Sequence, residues 1–344
     1  MKKIALEEHF TTEEQLDYFR SILDKEYPVP EVIQDEKALE LEVRWVPTSD
    51  YSSSLRSGNN ILKRLLEVGE RRLREMDEDG IDMQVLSLVS PGVQMLDTST
   101  ATAAMKKHND RLSEIVRQHP KRFAGLATLA PQNPSEAADE LERAVKELGL
   151  KGASINSHVK GEYLDDRRYW VIFERAEKMD VPINIHPRAP SPDMIKPYLA
   201  YPMLAVAMWG FGAEVGLHAL RLICSGIFDQ YPRLKIILGH LGEGLLFWLW
   251  RLDNRWLMGL TGKKLSKKPS EYLRDNFVIT TSGMFWHQAL IHCCSVLGPE
   301  KILFAVDYPF ESNKDAVQFI EAAPISESDK EKICHLNAER LLRL

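Results

Sequence analysis

The 344-residue chain is 44% apolar and 27% charged, which excludes a disordered or fibrous protein and matches a globular enzyme. Its length accommodates a large core without disulfides or structural metal. With 44 basic against 50 acidic residues, the net charge of −6 lacks the basic footprint of a nucleic-acid binder.

The opening residues Met1 to Glu8 carry no apolar signal-peptide region, and the longest apolar stretch, 203–213, is about half of a membrane span, so no membrane partner is expected. Cys224, Cys293, Cys294 and Cys334 form no CxxC pair, as expected for reduced thiols in a cytoplasmic protein.

Along the chain, β-rich runs alternate with segments of helical period. Strands are expected at Lys3–Leu6, Met83–Val89, Phe123–Leu129, Lys151–Asn156, Pro182–His186, Leu234–Gly239, Phe277–Thr281 and Ile302–Val306. Runs such as Ile236-Ile237-Leu238 suit parallel strands covered on both faces. Helices are expected at Ile61–Met76, from the cap at Asn133 to near Gly149, beyond a cap at Asp165 or Asp166, and at Ala213–Phe228. Eight strands, most of them followed by helical sequence, predict an α/β fold, a (β/α)8 TIM barrel forming one domain over 1–344. The alternative is an open doubly wound sheet; no GxGxxG follows the first strand to support its dinucleotide-binding form. Long loops after strands 1 and 5, about 27–60 and 187–211, read as lids or subunit contacts.

Barrel chemistry gathers at the C-terminal ends of strands. There the sequence places Glu7, Glu8 and His9 after strand 1, Asn156 and His158 after strand 4, and His186, Pro187 and Arg188 after strand 5. His240 and Glu243 follow strand 6, and Asp307 follows strand 8. On a regular strand Glu7 and His9 share a face, so both can reach one cation; His186 and Asp307 complete a nitrogen and oxygen set suited to Zn2+ or Mn2+. Glu243, three residues beyond His240, is placed to accept a ring N–H and raise the imidazole's basicity. Arg251 lies eleven residues past His240 and suits a carboxylate. His218, among Leu217, Ala219 and Leu220, reads as a satisfied core histidine; Trp170, Trp209, Phe247 and Trp248 read as core or interface residues before a substrate cage, with Trp209, in the long loop, also able to line a pocket.

Several blocks carry a family resemblance: Glu7-Glu8-His9-Phe10, the run Leu66 to Arg72, Ser90 to Gln94, Ile155 to His158, Ile185 to Arg188, Leu238 to Glu243 and Asp307 to Glu311. With these the chain resembles the metal-dependent, non-oxidative aromatic acid decarboxylases of the amidohydrolase superfamily, of the γ-resorcylate, 2,3-dihydroxybenzoate and 5-carboxyvanillate types. The resemblance implies one divalent metal ion per subunit, Zn2+ or Mn2+, held by Glu7, His9, His186 and Asp307, with no organic cofactor and with Glu8 pointing away. It implies a homodimer or homotetramer acting on a small aromatic carboxylic acid. Asp307, His240 and Glu243 are then the catalytic residues, and Arg251, Asn156, Phe310, Arg188 and Arg56 the substrate contacts.

The implied chemistry follows from charge. Direct loss of CO2 from an aryl carboxylate leaves a costly aryl carbanion, whereas protonating the ring carbon first avoids it. Asp307 is expected to deliver that proton, which requires a raised pKa. Two readings compete: a hydrolase of lactones, amides or C–C bonds using metal-bound water, and a non-catalytic metal-binding protein.

Overall fold

The computed structural model describes residues 1–23, 61–191, 193–259 and 264–344, without the side chains of 19–23. All eight expected strands form. They are β1 (Ile4–Phe10), β2 (Met83–Leu88), β3 in two pieces (Phe123–Gly125 and Ala127–Thr128), β4 (Ala153–Asn156), β5 (Ile183–His186), β6 (Ile236–Leu238), β7 (Phe277–Thr280) and β8 (Ile302–Leu303). Every neighbouring pair is parallel. β3 changes partner at Leu126: the Leu126 N–H donates to Leu86 O at 2.9 Å, and the Ala127 N–H to Gly152 O at 2.8 Å. The Leu6 N–H donates to Phe304 O at 3.0 Å, closing β8 onto β1. The ring is the expected (β/α)8 barrel.

Side-chain alternation explains why the strands read as continuous apolar runs. Ile4, Leu6, Val85, Ala124, Leu126, Ile237, Val278, Leu303 and Ala305 form one cluster, joined by Ala338 and Leu342 of the last helix. Their strand neighbours, Ile236, Leu238, Phe277 and Ile279 among them, join a larger cluster with the helices. Each strand thus feeds two cores. Truncating Ile237, fully buried in the smaller cluster, to Ala should cost about 2–5 kcal/mol in urea unfolding with an unchanged m-value.

Some helix boundaries differ from expectation. Ile61–Met76 is two helices, Ile61–Leu66 and Glu70–Asp79, because Gly69 breaks the run and caps the second. Asn133 precedes helix Pro134–Lys146, but its side chain makes no capping hydrogen bond. The expected helix 213–228 begins at Gly210 and stops at Gly226, whose φ of 85° leaves the helical region. The apolar stretch is also longer than 203–213: Pro202–Ser225 meets the length and hydropathy of a membrane span, with half of that window buried inside the fold. Residues 27–60 of the first expected loop lie outside the described residues. The second contains short 3-10 turns at Lys196–Tyr198 and Pro202–Ala205.

A buried polar network ties helix Gly210–Ser225 to the loop after β4. The Leu164 N–H donates to His218 Nε2 at 3.1 Å, so the ring proton sits on Nδ1 and faces Ser157 Oγ at 3.0 Å. The Ser157 hydroxyl donates to Glu214 Oε1 at 3.3 Å, and the Tyr163 hydroxyl to Oε2 at 2.9 Å. His218 is the satisfied core histidine expected. Burial pushes the Glu214 carboxyl up to about 7, against the pull of Tyr163 and Arg188. The folded state therefore holds a proton that the unfolded chain releases near 4.5, and stability is lost as pH rises from there through about 7. Glu214→Gln should gain stability relative to wild type over that window, by up to about 3 kcal/mol, read from urea unfolding between pH 4.5 and 8.

Candidate metal centre and its cavity

The site begins with an irregularity in β1. Ala5 pairs with Gln84 and Glu8 with Leu86, so Leu6 and Glu7 together oppose a single residue of β2. This bulge puts Glu7 at a φ of 57°, and His240, Glu243 and Asp307 also have left-handed φ values of 47°, 56° and 79°. Such backbone is strained for residues with a side chain; at His240, Glu243 and Asp307 it lies beyond strand ends and lines one cavity, while Glu7 sits within β1.

His9, His186 and Asp307 each offer a ligand atom, all within 4.8 Å of one another. His9 Nε2 lies 3.0 Å from Asp307 Oδ1, and the His9 and His186 rings meet edge to face at 4.7 Å between centroids. The Thr280 and Ser282 hydroxyls both donate to Glu7 Oε2. Glu7 Oε1 is buried without a hydrogen-bond partner among the described residues, as is His186 Nδ1. Room for Glu7 depends on Gly239, where an added Cβ would sit 2.9 Å from Oε1. Glu8 turns elsewhere, accepting from Gln84 Nε2 at 3.0 Å and from the Val306 N–H at 2.9 Å. Two imidazoles and two carboxylates without a thiolate, two of whose polar atoms lack partners, fit a divalent cation such as Zn2+ or Mn2+.

His240 stands between two carboxylates. Its Nδ1–H donates to Glu243 Oε1 at 2.7 Å, and Nε2 lies 3.7 Å from Asp307 Oδ2. Burial opposes the ring's charge, but Glu243, the nearby Asp307 carboxylate and the charge on Glu7 hold its pKa well above the ordinary histidine value. Burial alone would raise the Asp307 carboxyl, yet the nearby His240 ring and the His9 ring at hydrogen-bond distance hold it far below the usual carboxylate range. The raised pKa expected of Asp307 is not met: its shift runs downward while that of the neighbouring His240 runs upward. Burial pushes the Glu7 carboxyl up, and burial with the neighbouring His9 pushes His186 well down, so its ring is neutral.

His9, His186, His240, Glu243 and Asp307 floor a cavity of about 620 Å3 at the C-terminal mouth of the barrel. Met203, Met208, Trp209, Phe211, Met284 and Phe310 give it apolar walls, with Phe310 at 5.9 Å from the His9 ring. Gly283 keeps the approach to the two acid–base groups open; a Cβ there would lie 3.2 Å from the His240 ring and 3.6 Å from Asp307 Oδ2.

A model of the amidohydrolase family matches residues 60–344. The chain belongs to the amidohydrolase family. Among its relatives in this family, it is 41% identical to γ-resorcylate decarboxylase of Polaromonas sp. (strain JS666), over 99% of this chain and 98% of that protein. It is 42% identical to 5-carboxyvanillate decarboxylase from Sphingomonas paucimobilis, whose crystal structure superposes with a TM-score of 0.90 and covers 100% and 99% of the two chains. Dihydroxybenzoic acid decarboxylase from Polaromonas sp. JS666, solved with bound manganese and the inhibitor 2-nitroresorcinol, is 39% identical with a TM-score of 0.85, covering 100% and 97%.

Within this amidohydrolase site the structure gathers His9, His186, His240, Glu243, Asp307 and Phe310 around the cavity, with His9, His186 and Asp307 as the clustered ligand set; Glu7 is outside both the cavity wall and that cluster, buried behind them within electrostatic reach of His240 and Asp307. The structure does not bring Arg251, Asn156 or Arg188 to the cavity wall. Arg251 is on the exposed face of helix Leu249–Trp256, whose buried residue is Leu249. Arg188 is buried and turned back, donating from Nη1 to His158 O at 2.9 Å to satisfy a buried carbonyl. Asn156 is buried beneath the Gly92 turn, where a Cβ on Gly92 would meet its Nδ2 at 2.3 Å. Arg56 lies outside the described residues. The sequence reading missed Thr280, Ser282 and Gly283, although two hydroxyls and a glycine at the end of the seventh strand were a legible signal.

Proposed function

We propose that this chain decarboxylates an ortho-hydroxybenzoate without oxidation, using one divalent metal ion held by Glu7, His9, His186 and Asp307. The observation that carries the reading is the Glu243–His240–Asp307 line of acid–base groups ending at the candidate metal centre. It is supported by full-length relatives named as decarboxylases of γ-resorcylate and 5-carboxyvanillate.

The cation, when bound, supplies Lewis-acid polarisation and charge neutralisation to the substrate's phenolic and carboxylate oxygens. The chain's own residues do the rest. Phe310 and the Met203, Met208 and Trp209 wall offer apolar surface for the ring to pack against. His240, anchored at Nδ1 by Glu243, presents its Nε2–H towards Asp307 Oδ2. Asp307 takes that proton and passes it to the ring carbon bearing the carboxylate, and CO2 then departs with rearomatisation. The imidazolium between two carboxylates keeps the proton close without requiring a permanently neutral Asp307.

We also propose that the chain folds as one barrel domain, works in the cytoplasm, and forms a homodimer or homotetramer. The oligomer is supported by Phe247, Trp248 and Trp250, which are 53–82% exposed.

CO2 release from 2,6-dihydroxybenzoate, 2,3-dihydroxybenzoate and 5-carboxyvanillate by Mn2+- or Zn2+-loaded protein tests the reading. Release of CO2 from one of them supports it. No release from any, with hydrolysis of a lactone or amide instead, would favour the hydrolase.

A further inference from the structure

The run Leu66 to Arg72 plays no part in the chemistry above, yet it supplies the largest fully buried side chain of the described residues, Arg72. Burying a guanidinium is expensive unless its contacts do something specific. Its Nη1–H donates to the carbonyl of His9 at 2.8 Å, and its Nε–H to Gln84 Oε1 at 2.7 Å. Its Cζ lies over the Tyr308 ring, 4.3 Å from the centroid. His9 is itself a candidate ligand, and Tyr308 follows another, Asp307. The two segments also join directly, the His9 N–H donating to Tyr308 O at 2.7 Å. Gln84, held by Arg72, donates in turn to Glu8, whose other oxygen accepts from the Val306 N–H at 2.9 Å. Tyr308 is braced from its far end by its hydroxyl, which donates to Glu75 Oε2 at 2.8 Å.

We infer that Arg72 is a positioning residue for the metal centre: through the His9 carbonyl and the Tyr308 ring it sets the spacing between the ligands on β1 and those after β8. The inference rests on the metal reading above and adds a residue that touches neither cation nor substrate. A guanidinium makes these contacts at once, donating to the carbonyl and to Gln84 while its Cζ lies over the ring. A lysine ammonium satisfies one of them.

The test compares Mn2+ affinity, from the free-Mn2+ electron paramagnetic resonance signal, in wild type, Arg72→Met, Arg72→Lys, Tyr308→Leu and Tyr308→Phe. Arg72→Met and Tyr308→Leu are expected to bind Mn2+ about 10–100-fold more weakly while still unfolding cooperatively, as outer-sphere changes do. Arg72→Lys should recover part of the loss, and Tyr308→Phe, which keeps the ring, should stay within twofold of wild type. Should Arg72→Met fail to fold, Tyr308→Leu carries the test; a loss below fivefold in whichever folds overturns the inference. A second readout needs no metal. In metal-free protein, amide exchange at 8–10 and 305–310 should quicken at least tenfold in Arg72→Met, or in Tyr308→Leu if that is the variant that folds, and unchanged exchange would overturn the role. Wild type that binds no Mn2+ would defeat the proposed function, while the exchange result would still decide whether Arg72 holds the two segments.

Discussion

Asp307→Asn is expected to lower kcat/KM for CO2 release by about 10²–10⁴-fold, the range for loss of a positioned proton donor. The amide keeps the size of the carboxylate and one acceptor oxygen, so His9 Nε2, at 3.0 Å, still finds a partner. It cannot take a proton from His240 and hand it to carbon, and it removes a negative charge from the candidate ligand set. Metal content must therefore be measured with activity. Bound metal with activity lost assigns the proton transfer to Asp307; bound metal with activity within tenfold of wild type would assign it elsewhere.

Removing the metal is expected to abolish decarboxylation altogether, with recovery on adding back Mn2+ or Zn2+. The charge on Asp307 counts against the ionisation of Glu7, which is buried with one oxygen unpartnered among the described residues. A dication relieves both the repulsion and the unpaired oxygen, so its loss should also destabilise the fold. Metal at about a thousand times its dissociation constant contributes roughly 4 kcal/mol through mass action. Thermal unfolding with and without a chelator reads this directly: a lowered Tm restored by Mn2+ is expected, and an unchanged Tm would show that no ion binds the folded state selectively.

Most of the barrel was legible because parallel strands buried on two faces leave runs such as Ile236-Ile237-Leu238, which local composition alone reveals. The candidate ligands were legible for a related reason: barrel geometry sends strand ends to one mouth, so polar residues after apolar runs must meet there. What stayed hidden depends on backbone detail or on contacts distant in sequence. A regular strand would place Glu7 and His9 on one face by alternation; here a bulge at Leu6 and Glu7 intervenes, and Glu7 is aimed by hydroxyls from β7 and its loop. Left-handed φ at His240, Glu243 and Asp307 leaves no mark in residue type. The direction of an arginine is likewise not local. Arg188 adjoins the site in sequence but satisfies the His158 carbonyl, while Arg72, far from any strand end, reaches the back of the metal centre. The single helix expected over 61–76 failed at Gly69, where the apolar period continues but the backbone breaks.

Anomalous diffraction from crystals grown with Mn2+ tests the central claim most directly. The account predicts one strong peak per chain, within roughly 2.0–2.3 Å of atoms from His9, His186 and Asp307 and of Glu7. A peak elsewhere, or none at that position with the four side chains ordered, would contradict it.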